Sequence, residues 1–579
     1  MEPRSQITHN SLRVFLIAIT AILICLGGVP STASAQAVSP GFDPLQPEKR
    51  FDALKQEQAG RDTPRLPATA NGASPGSGSG AMFEVRRFSI VGNRTIASGE
   101  FQPLYQRYVG RKISERDLVE LAEKITGLYR ARGYHLARAI VPPQDIKNGV
   151  IVVKVVEGRI TELIVDGDQQ GRFGVKVLLS PVLSEQPSRQ RTLERQLLLL
   201  NTRPGIRILD TSLQEIGATS GHFSLTVYVK TWHVYSFVGI DNLGSSSVGP
   251  WQTYATGAFN SYLVAGDALT LNTSTILTEP RELGFGRLGY ESPVGTDGVR
   301  IGGSVLYSQV QPGDWRREYG DVTKTQSFEL HASAVPLQSQ LQTLTLTAGA
   351  QFTDVTERDV LGDIYRDHLR TISLTGDYRL KDDFGGVNYL TVTLRKGIDV
   401  LGASRLGDDF LSRTNGSGDF ATINLWFARY QTLTDAWSLK ISGAGQYAST
   451  ELLTSQQFYL GGASFARGYG NAEISGDNVM AAAVELRFDG AFKLSLLRGY
   501  QFYAFVETGT AWNVGYRYAD GLSLTSAGAG LRLFFDDDLR ADIGVGVPLS
   551  YSSMDNPTRN PRLLVSLSKE FRLCSAKAC

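Results

Sequence analysis

Two short stretches hold the side chains best suited to chemistry in this 579-residue chain. One is Phe465-Ala466-Arg467-Gly468-Tyr469-Gly470, a single cation in a glycine-rich segment that follows Tyr459-Leu460-Gly461-Gly462. The other is Phe505-Val506-Glu507-Thr508-Gly509, a single carboxylate inside a run of period two. There Phe502, Ala504, Val506, Thr508 and Trp512 share one face, and Tyr503, Phe505, Glu507 and Gly509 the other. A guanidinium and a carboxylate can pair and hold backbone, but they make no covalent bond. On its own, Arg467 reads as a solvated turn arginine. Motifs for bond-making are missing: no phosphate-cradling loop, no His-Glu-x-x-His pair and no nucleophile-elbow serine occurs. His9, His135, His222, His233, His331 and His368 are scattered without metal-ligand spacing. His135, beside Tyr134, reads as surface or module packing rather than a ligand. Asp536-Asp537-Asp538 reads as a solvated turn rather than a calcium site. The expectation is a chain with no catalytic residue, metal or cofactor, which is not an enzyme. A net charge of +1 and no basic stripe give nucleic acid no footing.

The element that carries Glu507 is repeated many times. Met480, Ala482, Val484, Leu486 and Phe488 face away from Val479, Ala481, Ala483, Glu485 and Arg487. Leu563, Val565, Leu567 and Phe571 face away from Leu564, Ser566, Ser568 and Glu570. A barrel in lipid must read this way, with one face of each strand in hydrocarbon and one in water. From about Trp232 onward, strand signals alternate with Gly-, Asn- and Asp-rich turns, as in Ala268–Ile276, Leu344–Gln351, Tyr389–Lys396, Ser438–Tyr447, Gln501–Trp512, Ala527–Phe535 and Arg540–Val547. At roughly 20 residues per strand and connection, residues 232–579 provide some 14 to 18 strands, an even number. Sixty-one glycines and a mean hydropathy of −0.12 suit a wall in which only alternate residues meet lipid. A lumen that wide needs a plug. On the lipid face a carboxylate is expensive, so Glu507 is expected to point inward.

The chain starts with an export signal, residues 1–35. Arg4 and Arg13 are basic, Val14 to Leu26 is a short apolar run, and Ala33-Ser34-Ala35 precedes Gln36 as a small-x-small cleavage site. Cys25 lies inside it; Cys574 and Cys579 are left in the tail as free thiols or one local bridge. Residues 36–81 read as a short helix at Glu48–Gln58 and a flexible linker through Asn71–Gly80. Residues 82–158 read as a β-α-α-β-β unit: a strand at Phe83–Val91, helices at Phe101–Val109 and Glu115–Ala131 (the second capped by Ser114), and strands at Ala137–Val141 and Val150–Val156. Residues 159–231 repeat the plan, with strands at Ile160–Val165, Ile206–Leu209 and His222–Lys230 and a helix at Thr192–Leu200.

This organisation resembles the outer-membrane transporters of two-partner secretion, the haemolysin- and filamentous-haemagglutinin-exporting proteins of the Omp85 superfamily. Phe88-Ser89-Ile90-Val91-Gly92-Asn93, Leu128 to Tyr134 (LYRARGY) and Val152 to Ile160 (VVKVVEGRI) are similar to the family's first POTRA module, and Leu197 to Ile208 (LLLLNTRPGIRI) to the second. Arg467-Gly468-Tyr469 resembles the signature at the tip of a loop folded into the lumen. Phe505, Glu507 and Gly509 resemble the barrel-wall motif that receives it, with Glu where Asp is usual. The resemblance implies two α+β POTRA modules ahead of an all-β transmembrane barrel of about 16 antiparallel strands, in the bacterial outer membrane with the modules in the periplasm. It implies export of a large partner protein of adhesin or cytolysin type, and a plug made by the N-terminal helix. It implies contacts with outer-membrane lipid, and assembly by the barrel-assembly machinery through a terminal aromatic, here Phe571, although Arg572–Cys579 follow it. A barrel-assembly insertase and a passive porin are the alternatives. Two modules with an N-terminal helix favour secretion over the first, and the Arg-Gly-Tyr loop disfavours the second.

Overall fold

In a computed structural model of the protein, the described residues are 82–574 except 147, 218–219, 495, 519–520 and 551–557. The export signal, the helix and linker of residues 36–81, and Cys579 lie outside them.

The first module spends its apolar residues on one core. Strand β1 (Met82–Glu84) pairs with β3 (Lys112–Ser114), while β2 (Arg87–Val91), β4 (Arg138–Ile140) and β5 (Val150–Val156) form a sheet in the order β2-β5-β4. The single strand expected at 83–91 is broken because Val85 turns fully inward and the Arg86 and Arg87 amides donate to the Gly149 carbonyl. The helix expected at Phe101–Val109 is instead a series of single turns, of which α1 (Gln102–Tyr105) is the only α-helical one. Its ends are pinned by the buried rings of Phe101 and Tyr108. Helix α2 (Glu115–Ala131) starts at a capping box in which the Ser114 hydroxyl and the Asp117 carboxylate satisfy each other's backbone amides. It buries Leu118, Leu121, Ala122, Ile125 and Tyr129.

The second module has strands β6 (Arg159–Asp166), β7 (Ile206–Glu215) and β8 (His222–Asp241), with β8 central. Two short helices, α3 (Val175–Leu178) and α4 (Ser180–Ser184), precede α5 (Gln190–Asn201). Sequence periodicity missed both, since four or five residues cannot display a helical stripe. Strand β8 runs unbroken across position 231. Its first half is the spine of the module and its second half is barrel wall.

The wall is a closed barrel of sixteen antiparallel strands. It comprises β8, β9 (Gln252–Asn260), β10 (Ala268–Thr275), β11 (Leu283–Val294), β12 (Val299–Val310), β13 (Val322–Gln338), β14 (Gln342–Asp359), β15 (Gly362–Lys381), β16 (Gly386–Gly397), β17 (Ala421–Thr432) and β18 (Trp437–Ala448). After a hairpin of β19 (Phe458–Leu460) and β20 (Ile474–Gly476) it resumes with β21 (Asn478–Leu494), β22 (Leu497–Trp512), β23 (Leu522–Phe535), β24 (Leu539–Pro548) and β25 (Arg562–Cys574). Strand β25 closes the cylinder against β8, with Phe571 opposite Ser236. The last strand therefore continues past Phe571, whose ring faces outward. The alternation holds in space: Phe502 is 52% exposed and Phe505 3%. The Asp536–Asp538 turn pairs with Arg498 and Arg572, and no metal-ligating cluster occurs among the described residues.

The modules are fastened to each other and to the barrel. Arg138 pairs with Glu215 at 2.6 Å. On α5, Arg195 donates to Asp297 (2.9 Å) and to the Val335 carbonyl (2.7 Å), and Glu194 accepts from the Gln340 amide (2.7 Å). Of the two places expected for His135, the surface or module packing, it takes the second. Its neighbour Tyr134 belongs to the first module's core and Leu136 to the second's. It is buried with no hydrogen-bond partner on either ring nitrogen, and burial pulls its pKa from 6.5 down to about 4. A neutral native imidazole and a titrating unfolded one make stability complete above about pH 6.5 and falling from there to about pH 4, by at most about 3 kcal/mol. Hydrogen-exchange protection of the two modules should drop across that window. His135→Phe should flatten the drop; a slope unchanged by this substitution would contradict the assignment.

Candidate functional site

Residues 449–477 join β18 to β21 at the end of the barrel away from the modules, and they fold back inside it. The β19–β20 hairpin forms the stem of this loop and Phe465-Ala466-Arg467-Gly468-Tyr469 its tip. Apolar contact seats it: Leu460, Phe465, Ala466, Tyr469 and Ile474 pack with inward residues Val479, Ala481, Ala483, Ala511 and Leu524 of the wall.

Charge then fixes the tip. Arg467 donates from Nε to Glu507 Oε1 at 2.7 Å and from its backbone amide to Oε2 at 2.8 Å. Its other guanidinium arm meets Glu485 at 2.8 Å, and its guanidinium carbon stands 3.6 Å from the centre of the Phe505 ring. The longer arm of Glu507 thus reaches both the guanidinium and the loop backbone. Glu485 is shared with Arg487 and Arg532, each at 2.8 Å. Arg532 continues to Asp542 at 2.9 Å and lies over the Tyr503 ring, whose hydroxyl donates to Asp542 at 2.7 Å. Three guanidiniums and three carboxylates thereby form one neutral net behind the loop tip. The backbone comes equally close. A Cβ on Gly468 would lie 2.8 Å from the Val547 carbonyl carbon, and one on Gly509 2.9 Å from Leu460. Ala466 holds a left-handed φ of 61°, a strained conformation for a residue with a side chain. The Tyr469 hydroxyl bonds to Ser550, and its carbonyl accepts from Arg562.

The stem has its own anchor. The Asp477 carboxylate is fully buried and accepts from Arg413 in the 398–420 loop, from the Leu452 amide and Gln457 within the inward loop, and from the Val514 amide in the 513–521 loop. Three loops are tied to one side chain.

The candidates Arg467, Gly468, Tyr469, Phe505, Glu507 and Gly509 all come together here, while Phe571 sits apart on the outer wall. Glu485, Arg532, Asp542 and Asp477 were not singled out from sequence. Inward parity flags Glu485, but their partners lie on other strands, and no linear spacing reveals that. A lumenal cavity of about 390 Å³ is left beside the tip, bounded by Lys440, Arg467, Tyr503 and Arg532.

The model of the POTRA domain of ShlB type matches residues 83–158, and that of the haemolysin secretion/activation protein ShlB/FhaC/HecB matches residues 225–533. The heme/hemopexin transporter protein HuxB of Haemophilus influenzae (strain 86-028NP) is 22% identical over 83% of this chain and 85% of its own length. The outer membrane transporter CdiB of Dickeya dadantii (strain 3937) is 22% identical over 93% and 96%. The solved structure of CdiB from Escherichia coli superposes with a TM-score of 0.73 at 21% identity, covering 93% of this chain and 100% of that one. CdiB from Acinetobacter baumannii gives a TM-score of 0.63 at 17% identity, covering 92% and 99%. Both structures share this chain's fold.

Removing one member of a buried ion pair leaves its partner uncompensated and costs about 3–5 kcal/mol. Glu507→Ala is therefore expected to free the loop tip, making Arg467 a site of limited trypsin cleavage in detergent while the barrel stays heat-modifiable on gels. A tip as resistant as wild type would contradict the geometry.

Proposed function

Because the chain belongs to the haemolysin secretion/activation family ShlB/FhaC/HecB, whose members are outer-membrane two-partner secretion transporters with periplasmic POTRA modules, we propose that it exports one large partner protein through the lumen of its barrel. The single observation that supports this most is the loop held by Arg467 against Glu507 and Glu485. The loop is proposed to hold the conducting state, because charge-assisted contacts at its tip fix one arrangement of it against the wall. The partner is proposed to be of adhesin or cytolysin type. HuxB is named for heme/hemopexin transport, so a partner of that kind is a further candidate for this chain.

In this reading, residues 82–158 and 159–231 are the modules that receive the unfolded partner. Free strand edges in the modules offer backbone hydrogen bonds with small demand on sequence. The N-terminal helix at Glu48–Gln58, within residues 36–81, is proposed to plug the resting pore, and residues 232–579 to form the conduit. The outward ring of Phe571 suits an aromatic read by the barrel-assembly machinery. Insertase activity gains no support from two modules, and a passive porin would have no use for a loop anchored at both tip and stem.

Arg467→Ala is expected to leave the barrel heat-modifiable and partner binding intact while export falls at least tenfold; export at the wild-type rate would sink the role given to the loop. Deleting residues 83–158 should remove partner binding in a pull-down from detergent, and retained binding would shift recognition to the second module.

A further inference from the structure

The turn between β9 and β10, Ser261-Tyr262-Leu263-Val264-Ala265-Gly266-Asp267, lies at the module end of the barrel and is unlike its neighbours. Asp382-Asp383-Phe384-Gly385 and Leu433-Thr434-Asp435-Ala436 each set one large apolar side chain among charged or small ones. Here three stand in a row, Tyr262 exposed by 74%, Leu263 by 72% and Val264 by 51%. They are held out rigidly. The buried Asp267 carboxylate accepts from the amides of Tyr262 (2.8 Å), Leu263 (3.0 Å) and Val264 (2.8 Å) and from the Tyr290 hydroxyl (3.0 Å). The Ser261 hydroxyl accepts from the Gly266 amide at 3.0 Å. A soluble turn has no reason to brace an apolar tip in this way.

The turn's two flanks face different surroundings. The strands that enter and leave it carry exposed Phe259 and Leu271 on their outward, lipid-facing side. Its other flank lies on the second module: a Cβ on Gly174 would come within 2.8 Å of Ala265, and one on Gly266 within 2.8 Å of the buried Arg203 guanidinium. An aromatic beside aliphatic residues at the foot of a barrel wall is the composition of a membrane–water interface.

We propose that Tyr262-Leu263-Val264 is a membrane foot that seats in the phospholipid of the periplasmic leaflet and, through Ala265-Gly266, sets the angle of the second module to the bilayer. The occupant is lipid because the two strands joined by the turn present apolar Phe259 and Leu271 to lipid and the exposed tip between them is apolar too. The inference rests on the barrel fold and is independent of the export reading, so either can fail without the other.

The test uses the exported protein, freed of its signal, with Cys574→Ser and Cys579→Ser, reconstituted in phosphatidylethanolamine/phosphatidylcholine vesicles. A nitroxide on Leu263→Cys should collide with oxygen more often than with a water-soluble nickel chelate. A nitroxide on Glu162→Cys, on the module surface, should show the reverse order. Chelate-dominated collisions at position 263, or shielding that develops only when an export partner is added, would overturn the proposal. In a second arm, Leu263→Asp with Val264→Asp should at least double the width of the spin–spin distance distribution between module and barrel in heat-modifiable protein. An unchanged width would overturn the coupling.

Discussion

The ladder between β25 and β8 is the interaction on which the rest depends. In hydrocarbon every backbone amide and carbonyl must find a partner within the protein, and an open sheet edge would strand a whole row of them. The nine residue pairs from Ser566–Asp241 to Cys574–Trp232 remove that edge. Once the sheet closes, inside and outside are fixed for all sixteen strands together. A one-residue slip would turn Glu485, Glu507 and Arg532 into lipid, at about 2–4 kcal/mol or less for each charge depending on depth and type. Because β8 also forms the middle of the second module's sheet, closure fixes the module to the wall through continuous backbone.

Inside, the chemistry is that of a wet and charged interior. The inward loop is bound by a small apolar patch and a net of equal opposite charges. Such a net is a poor source of stability, since desolvation offsets most of its attraction, but it is specific: each guanidinium accepts only one geometry. Gly468, lying against the Val547–Pro548 backbone, and Ala466, with its left-handed φ, show how closely the tip is fitted. Asp477 ties the stem to two further loops at the opposite end from the modules, so tip and mouth are held by separate contacts. The loop is held twice over.

Most of the fold was legible in the residues. Period-two alternation at 479–488 and 501–512 placed the inward and outward faces correctly, because lipid penalises a charge wherever it falls on the wrong side. The capping box at Ser114 and the apolar stripe of α2 read directly. Legibility failed where local signal is short or shared. Helices α3 and α4 are single turns, the 101–109 segment is pinned by two rings rather than by a stripe, and β8 serves two domains without a break. Within the site, Arg467 and Glu507 were visible as motifs, whereas Glu485, Arg532 and Asp477 became partners only through the register of strands far apart in sequence.

The central claim is that the inside of this cylinder is the conduit. Its most direct test places a photo-crosslinking amino acid at Lys440, which lines the lumen, or at Val506, which faces outward, in cells exporting a partner stalled part-way. The account predicts a partner adduct from position 440 and none from position 506. Adducts from the outer face alone, or from both faces equally, would contradict it.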